Sequence, residues 1–199
     1  MNLNDAKKDL YRRLSKVEGY RSRAAYKLLQ INQKYDILKP GDIVVDFGAA
    51  PGGWMQICSE KIGPKGLVFG VDLDEIIPLA ENALTIVGDV MDPKTMERVV
   101  NSIPRKADVI LSDMSPDVSG IWQIDHLKQI DMVSTIVENL PSLIREGGSS
   151  IFKVFEGEDT LKMRKRIQSS FSRVVISKPP ASRGRSSEVF FVCLNYKST

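Results

Sequence analysis

Cysteine and histidine are scarce in this chain: two cysteines and one histidine occur among 199 residues. A protein zinc site takes about four Cys, His or carboxylate ligands, so Cys58, Cys193 and His126 make a poor set and no metal is expected. Both cysteines sit in apolar surroundings, MQICSEKI and FFVCLNY, the setting of buried reduced thiols. His126 is expected to be structural or on the surface. Long apolar runs are missing too. None approaches the roughly 18 residues needed to cross a bilayer, and the opening MNLNDAKKDLYRRL has no apolar stretch of the signal-peptide kind. A cytoplasmic protein without a membrane anchor is expected. With no repeat or low-complexity tract, solenoids and disordered chains are excluded.

What is present is an ordinary globular balance, 42% hydrophobic and 27% charged residues, in a length that suits one core. One domain over 1–199 is expected, with basic helices in 1–39 and the core in 40–199. No apolar stripe is left over for a second copy, so a monomer is expected. Net charge is +3, unevenly spread: residues 1–39 hold ten Lys and Arg (7, 8, 12, 13, 16, 21, 23, 27, 34 and 39) against four acids, which is +6, and the rest sum to −3. A basic leader of this kind suits a polyanionic partner, nucleic acid being the commonest, although a solvated helix face has the same composition.

Hydrophobic periodicity predicts two leading helices, 4–18 and 22–34, broken at Gly19. Ser22 is a candidate N-cap, and Ala24, Ala25, Leu28, Leu29 and Ile31 form a buried side. Strands follow at 43–47, 67–72, 84–88, 107–112, 149–155, 173–178 and 188–194, with helices at 53–62, 93–102, 124–145 and 158–171. Strands alternating with helices imply an α/β fold: a seven-stranded, mostly parallel sheet covered on both faces. Only PPASRGRSS separates the last two strands, which predicts a hairpin and one antiparallel edge strand.

Ligands in such sheets sit beyond the carboxyl ends of the strands. There the first strand runs into Asp46-Phe47-Gly48-Ala49-Ala50-Pro51-Gly52-Gly53-Trp54. The spacing is not that of a dinucleotide loop, Pro51 has no N–H to offer a phosphate, and no Lys-Ser or Lys-Thr pair follows. The loop suits a nucleoside ligand without phosphates, which describes S-adenosylmethionine. The next strands end at Asp72, placed to accept hydrogen bonds from ribose hydroxyls, and at Asp89, placed to hold an adenine amino group. Lys153 interrupts the apolar run Ile151-Phe152, Val154-Phe155, where desolvation favours an uncharged amine able to act as a general base.

Seven segments carry a family resemblance: SRAAYKL (22–28), VVDFGAAPGGW (44–54), GVDL (70–73), GD (88–89), LSDMSPDVSG (111–120), FKVFEGE (152–158) and KPPASRGRSSEVFFV (178–192). In this order they resemble the FtsJ-like (RrmJ-type) ribosomal RNA ribose 2′-O-methyltransferases across almost the whole chain. The resemblance implies a Rossmann-like class I methyltransferase fold and a catalytic tetrad of Lys27, Asp113, Lys153 and Glu188. It also implies S-adenosyl-L-methionine contacts at Gly52, Trp54, Asp72, Asp89 and Asp113. Its implied substrate is RNA, a uridine of ribosomal RNA in the large ribosomal subunit. Transfer RNA and messenger RNA cap riboses remain alternative targets. A small-molecule O-methyltransferase and a non-catalytic RNA-binding protein are the competing classes. The RNA side is expected to use the N-terminal helices and the loop bearing Lys178, Arg183 and Arg185. Tyr11, Tyr20 and Tyr26 are open to either base stacking or core packing.

Overall fold

The computed structural model describes residues 3–117, 119–182 and 186–198, with backbone alone for 3–9. Arg183, Arg185 and the side chains of Lys7 and Lys8 therefore lie outside the described residues. In chain order the elements are α1 (Leu3–Val17), α2 (Ala25–Tyr35), β1 (Ile43–Phe47), α3 (Gly53–Ile62), β2 (Leu67–Asp72), β3 (Ala83–Val87), α4 (Pro93–Ser102), β4 (Ala107–Ser112), α5 (Trp122–Leu143), β5 (Ile144–Phe155), α6 (Thr160–Ser170), β6 (Phe171–Ser177) and β7 (Glu188–Tyr196).

The seven strands form one sheet in the order β3-β2-β1-β4-β5-β7-β6. β3, β2, β1, β4 and β5 pair in parallel. The expected terminal hairpin forms, and β7 is antiparallel to both of its neighbours. The reversed strand is β7, one place in from the edge, while the outermost strand β6 runs with the parallel set. In that place Val189, Phe190, Phe191, Val192 and Cys193 of β7 are all buried, as suits a strand apolar on both sides in a sheet covered on both faces.

Side-chain alternation divides the core. Val45, Phe47, Ile110, Phe152, Val154 and Phe191 face α4, α5 and α6. Val44, Val68, Val109, Leu111, Ile151 and Phe190 face α2 and α3. At α4, Asp92 caps the helix by accepting from the Lys94 N–H at 3.0 Å, and Pro93 follows it. Ser22 is not the cap of α2. That helix starts at Ala25 after an uncapped Ala24, and Ser22 supplies only its backbone carbonyl, which accepts from the Ala25 N–H. α5 begins two residues earlier than periodicity predicts, and β5 starts directly at Ile144, which pairs with Ala107. Among the described residues no helix is long and apolar enough to cross a membrane.

Candidate active site

Four charged side chains from four elements meet beyond the sheet's carboxyl end. Lys27 stands in the first turn of α2, Asp113 just past β4, Lys153 in β5 and Glu188 at the start of β7. Lys27 Nζ lies 2.9 Å from Glu188 and 3.8 Å from Asp113 Oδ1. Lys153 Nζ lies 3.1 Å from the same Asp113 oxygen. It also donates to the Asp113 carbonyl and, at 2.7 Å, to Ser115 Oγ. The Asp113 Oδ1 contacts are ion pairs without hydrogen-bond alignment. Both lysines are buried, 5% and 4% exposed, which decides against ordinary solvated amines. Buried charges persist only when paired, and here two cations alternate with two carboxylates. Strand register makes the meeting possible: Lys153 pairs with Phe190 and Phe155 with Glu188, so both charged groups share the α2 face. Lys27 Nζ also sits 5.5 Å above the Phe190 ring.

The glycine loop shapes the neighbouring cavity. Gly48 has φ 75°, and a Cβ there would fall 2.9 Å from Met114 backbone atoms, so only glycine lets the β1 and β4 loops approach this closely. Asp72 Oδ2 accepts from the Ala50 N–H at 2.8 Å and Oδ1 from the Asp74 N–H at 3.0 Å, which ties the loops after β1 and β2 together. Asp89 Oδ1 accepts from the Met91 N–H at 2.9 Å. The cavity, about 280 Å³, is lined by Gly48, Ala50, Asp72, Asp89, Asp113 and Ser115 with Leu73, Val90, Met114 and Met132 among its apolar walls. Among the described residues, four aspartates and no lysine or arginine line it. This is a poor place for a phosphate and a good one for a neutral or cationic nucleoside.

Of the residues expected to touch the nucleoside, the structure brings Asp72, Asp89 and Asp113 to the cavity; Gly52 and Trp54 are not in its lining. Trp54 is 3% exposed, donates its indole N–H to the Ala24 carbonyl at 2.8 Å and packs against Phe190. Its side chain therefore ties α3 to the start of α2. Gly52, at φ 105°, caps α3 beside the Arg21 guanidinium.

Three contributors escape a reading of the sequence. Arg21 donates to the carbonyls of Pro51, Ile77 and Pro78, at 3.2, 2.6 and 3.0 Å, and so braces two cavity loops. Gln129 of α5 donates to the Lys153 carbonyl and accepts from the Phe155 N–H at 3.2 Å, which holds the end of β5. A polar residue among the buried positions of α5 was its only available signal. Ser115 is the third. His126 has the structural role expected of it, accepting from the Asp159 N–H at 3.3 Å under the Trp122 ring. Tyr11 and Tyr20 each pack on Tyr26, with centroids 5.3 and 5.7 Å apart; Tyr26 is buried and the other two are half-buried. Asp46, 1% exposed and without a hydrogen-bond partner on either oxygen, is held well above the usual carboxylate range by burial and then by Asp113 and Asp72.

Comparison with known proteins agrees with this geometry. The model of the FtsJ-like methyltransferase family matches residues 20–196. A protein of Nitrosopumilus maritimus named ribosomal RNA large subunit methyltransferase E is 42% identical over 98% of this chain and 99% of its own. One of the same name from Methanobrevibacter smithii is 43% identical over 97% and 92%. A crystal structure from Plasmodium falciparum named as a ribosomal RNA methyltransferase superposes with a TM-score of 0.77 at 30% identity, over 89% of this chain and 98% of that one. Aeropyrum pernix fibrillarin shares the fold, with a TM-score of 0.60 at 19% identity over 88% of this chain and 75% of its own. A family match that spans both leading-helix and hairpin contributions to the charged cluster leaves one conclusion: the chain belongs to the FtsJ-like methyltransferase family.

Proposed function

We propose that this chain transfers a methyl group from S-adenosyl-L-methionine to a ribose 2′-hydroxyl of RNA, a uridine of large-subunit ribosomal RNA, with Lys153 taking the hydroxyl proton. One observation carries the reading: a buried lysine, held by a second lysine's carboxylate partner, stands beside an acid-lined nucleoside cavity. A ribose hydroxyl is a weak nucleophile near neutral pH, and a positioned base contributes roughly 10²- to 10⁴-fold. Lys27 pairs with Glu188 and stands 3.8 Å from the Asp113 oxygen that also faces Lys153, so the two lysines share one carboxylate.

The cavity residues fit the donor by chemistry. Asp72 and Asp89 offer carboxylates to hydroxyl and amino groups, and Leu73, Val90 and Met132 offer apolar contact. Once bound, the donor supplies an electrophilic methyl on a positively charged sulfur. The chain's part is to align acceptor and donor, a contribution that can be large without any covalent intermediate. On the RNA side, Arg12, Arg13 and Lys16 are exposed on α1. The Ala181 N–H meets Gln30 of α2 at 2.9 Å, which keeps the hairpin loop beside the basic helices. Phosphate contacts there orient a strand without reading its sequence. That cationic surface favours RNA over a small-molecule acceptor.

The test is to map ribose methylations in total RNA and in ribosomal subunits incubated with the protein and labelled donor. One labelled 2′-position in large-subunit RNA is expected; labelling of no RNA species at all would contradict the assignment. Lys153→Ala is expected to lower turnover at least about 10²-fold while donor binding, measured by calorimetry, persists. Near-normal turnover in that variant would remove Lys153 from the base role.

A further inference from the structure

Lys153 itself does not line the nucleoside cavity; Ser115 does. Lys153 is 4% exposed, whereas Ser115 is exposed and its Oγ lies 2.7 Å from Nζ. Three oxygens surround that nitrogen: the Asp113 carbonyl, Asp113 Oδ1 at 3.1 Å, and Ser115 Oγ. A carbonyl and a carboxylate can only accept hydrogen bonds, while a serine hydroxyl can accept or donate. A protonated amine donates to the Asp113 carbonyl and to Ser115 Oγ and pairs with the Asp113 carboxylate by charge. A neutral amine has two hydrogens and one lone pair, and among its hydrogen-bond partners in the described residues only the Ser115 hydroxyl has a proton to give that lone pair.

We propose that Ser115 relays the proton between the substrate 2′-hydroxyl and Lys153; the inference rests on the function proposed above and deepens it. The ribose O–H gives its proton to Ser115 Oγ as the Ser115 O–H gives its own to Lys153 Nζ. The ribose oxygen forms its bond to the methyl carbon while the methyl–sulfur bond breaks. The electron pair of that bond stays on sulfur, which leaves neutral, and Lys153 ends as an ammonium. The serine is unchanged after each turnover and ready for the next. The Asp113 carbonyl accepts one amine hydrogen and the Asp113 carboxylate pairs with the amine at 3.1 Å, which holds Nζ beside the Ser115 hydroxyl.

Single-turnover methyl transfer on the methylated RNA, in mixtures of H₂O and D₂O, separates a relay from direct proton transfer. Two protons in flight give a bowed dependence of rate on deuterium fraction in the wild type; a straight line would overturn the relay without any variant. Ser115→Ala is expected to slow the chemical step about 10²-fold, the lower end of general-base assistance, with donor affinity unchanged. Ser115→Thr, which keeps the hydroxyl, is expected to recover most of the loss. A rate within about twofold of wild type in Ser115→Ala would sink the proposal. A readout free of turnover is the ¹H–¹⁵N signal of the Lys153 ammonium in lysine-labelled protein, which is expected to move or broaden in Ser115→Ala. An unchanged signal would mean the contact is not made. If the wild type methylates no RNA ribose, the underlying function fails; if it methylates and the serine variant does too, only the relay fails.

Discussion

Asp46 is a residue whose ionisation bears on stability. Its carboxyl is 1% exposed, neither oxygen has a partner, and burial, then Asp113 and Asp72, push its pKa well above the ordinary 3.8. A carboxyl raised in the folded state favours folding fully below the unfolded value and loses that contribution as pH rises through the folded value. At neutral pH it is therefore a net cost. Asp46→Asn is expected to raise the melting temperature at pH 7, with the gain shrinking toward pH 4 and below. Thermal melts across that range check this; a variant that gains nothing at pH 7 would mean the carboxylate has found a partner. Asp108 behaves in the opposite way. Burial works to raise its pKa, yet hydrogen bonds from Arg105, Arg145 and the Ile43 N–H together hold it below the ordinary value. Its stabilisation is therefore complete at neutral pH and is lost only in strong acid.

At the scale of elements, the segment between β4 and α5 carries both Asp113 and Ser115, and Asp125 helps tie its far end down. Asp125, in the first turn of α5, accepts from the Ser119 N–H at 2.8 Å and from Ser119 Oγ at 2.7 Å. Freeing that end lets the segment drift relative to β5, and a misplacement of about 1 Å can cost on the order of 10²-fold in rate. Asp125→Ala is expected to lower single-turnover methyl transfer about 10- to 10²-fold, with much of the loss recovered in Asp125→Asn, which keeps an acceptor. Kinetics of the two variants side by side decide it: equal rates in both and in the wild type would show that the segment is held elsewhere.

For the whole molecule, the asymmetric charge predicts a salt-sensitive interaction. Arg12, Arg13 and Lys16 are exposed on α1, and each phosphate contact adds about 0.7 to the slope of log affinity against log salt for a single strand. Replacing all three with glutamine is expected to reduce that slope by up to about 2 and to weaken RNA binding, while donor affinity stays unchanged. Titrations of RNA at several salt concentrations measure it. A slope equal to the wild type's would move the RNA path away from α1.

Much of this could be seen in the chain itself, and the parts that could not share a cause. The alternation of helix and strand, the glycine loop, the acids ending β2 and β3, and a lysine interrupting the apolar run of β5 are all patterns within short windows, where local sterics and periodic burial act. Lys27 was one of ten basic residues in the leader and stood out only through resemblance to a family. Ser115, Arg21 and Gln129 gave no usable signal, because their partners lie 38, 56 and 24 positions away. The amino-acid order alone determined which segments become strands and which faces they bury. Only tertiary structure decided that β7 enters between β5 and β6, and that Lys27 meets Glu188 across 161 positions. Long-range pairing depends on how whole apolar faces are covered, and no short window contains that information.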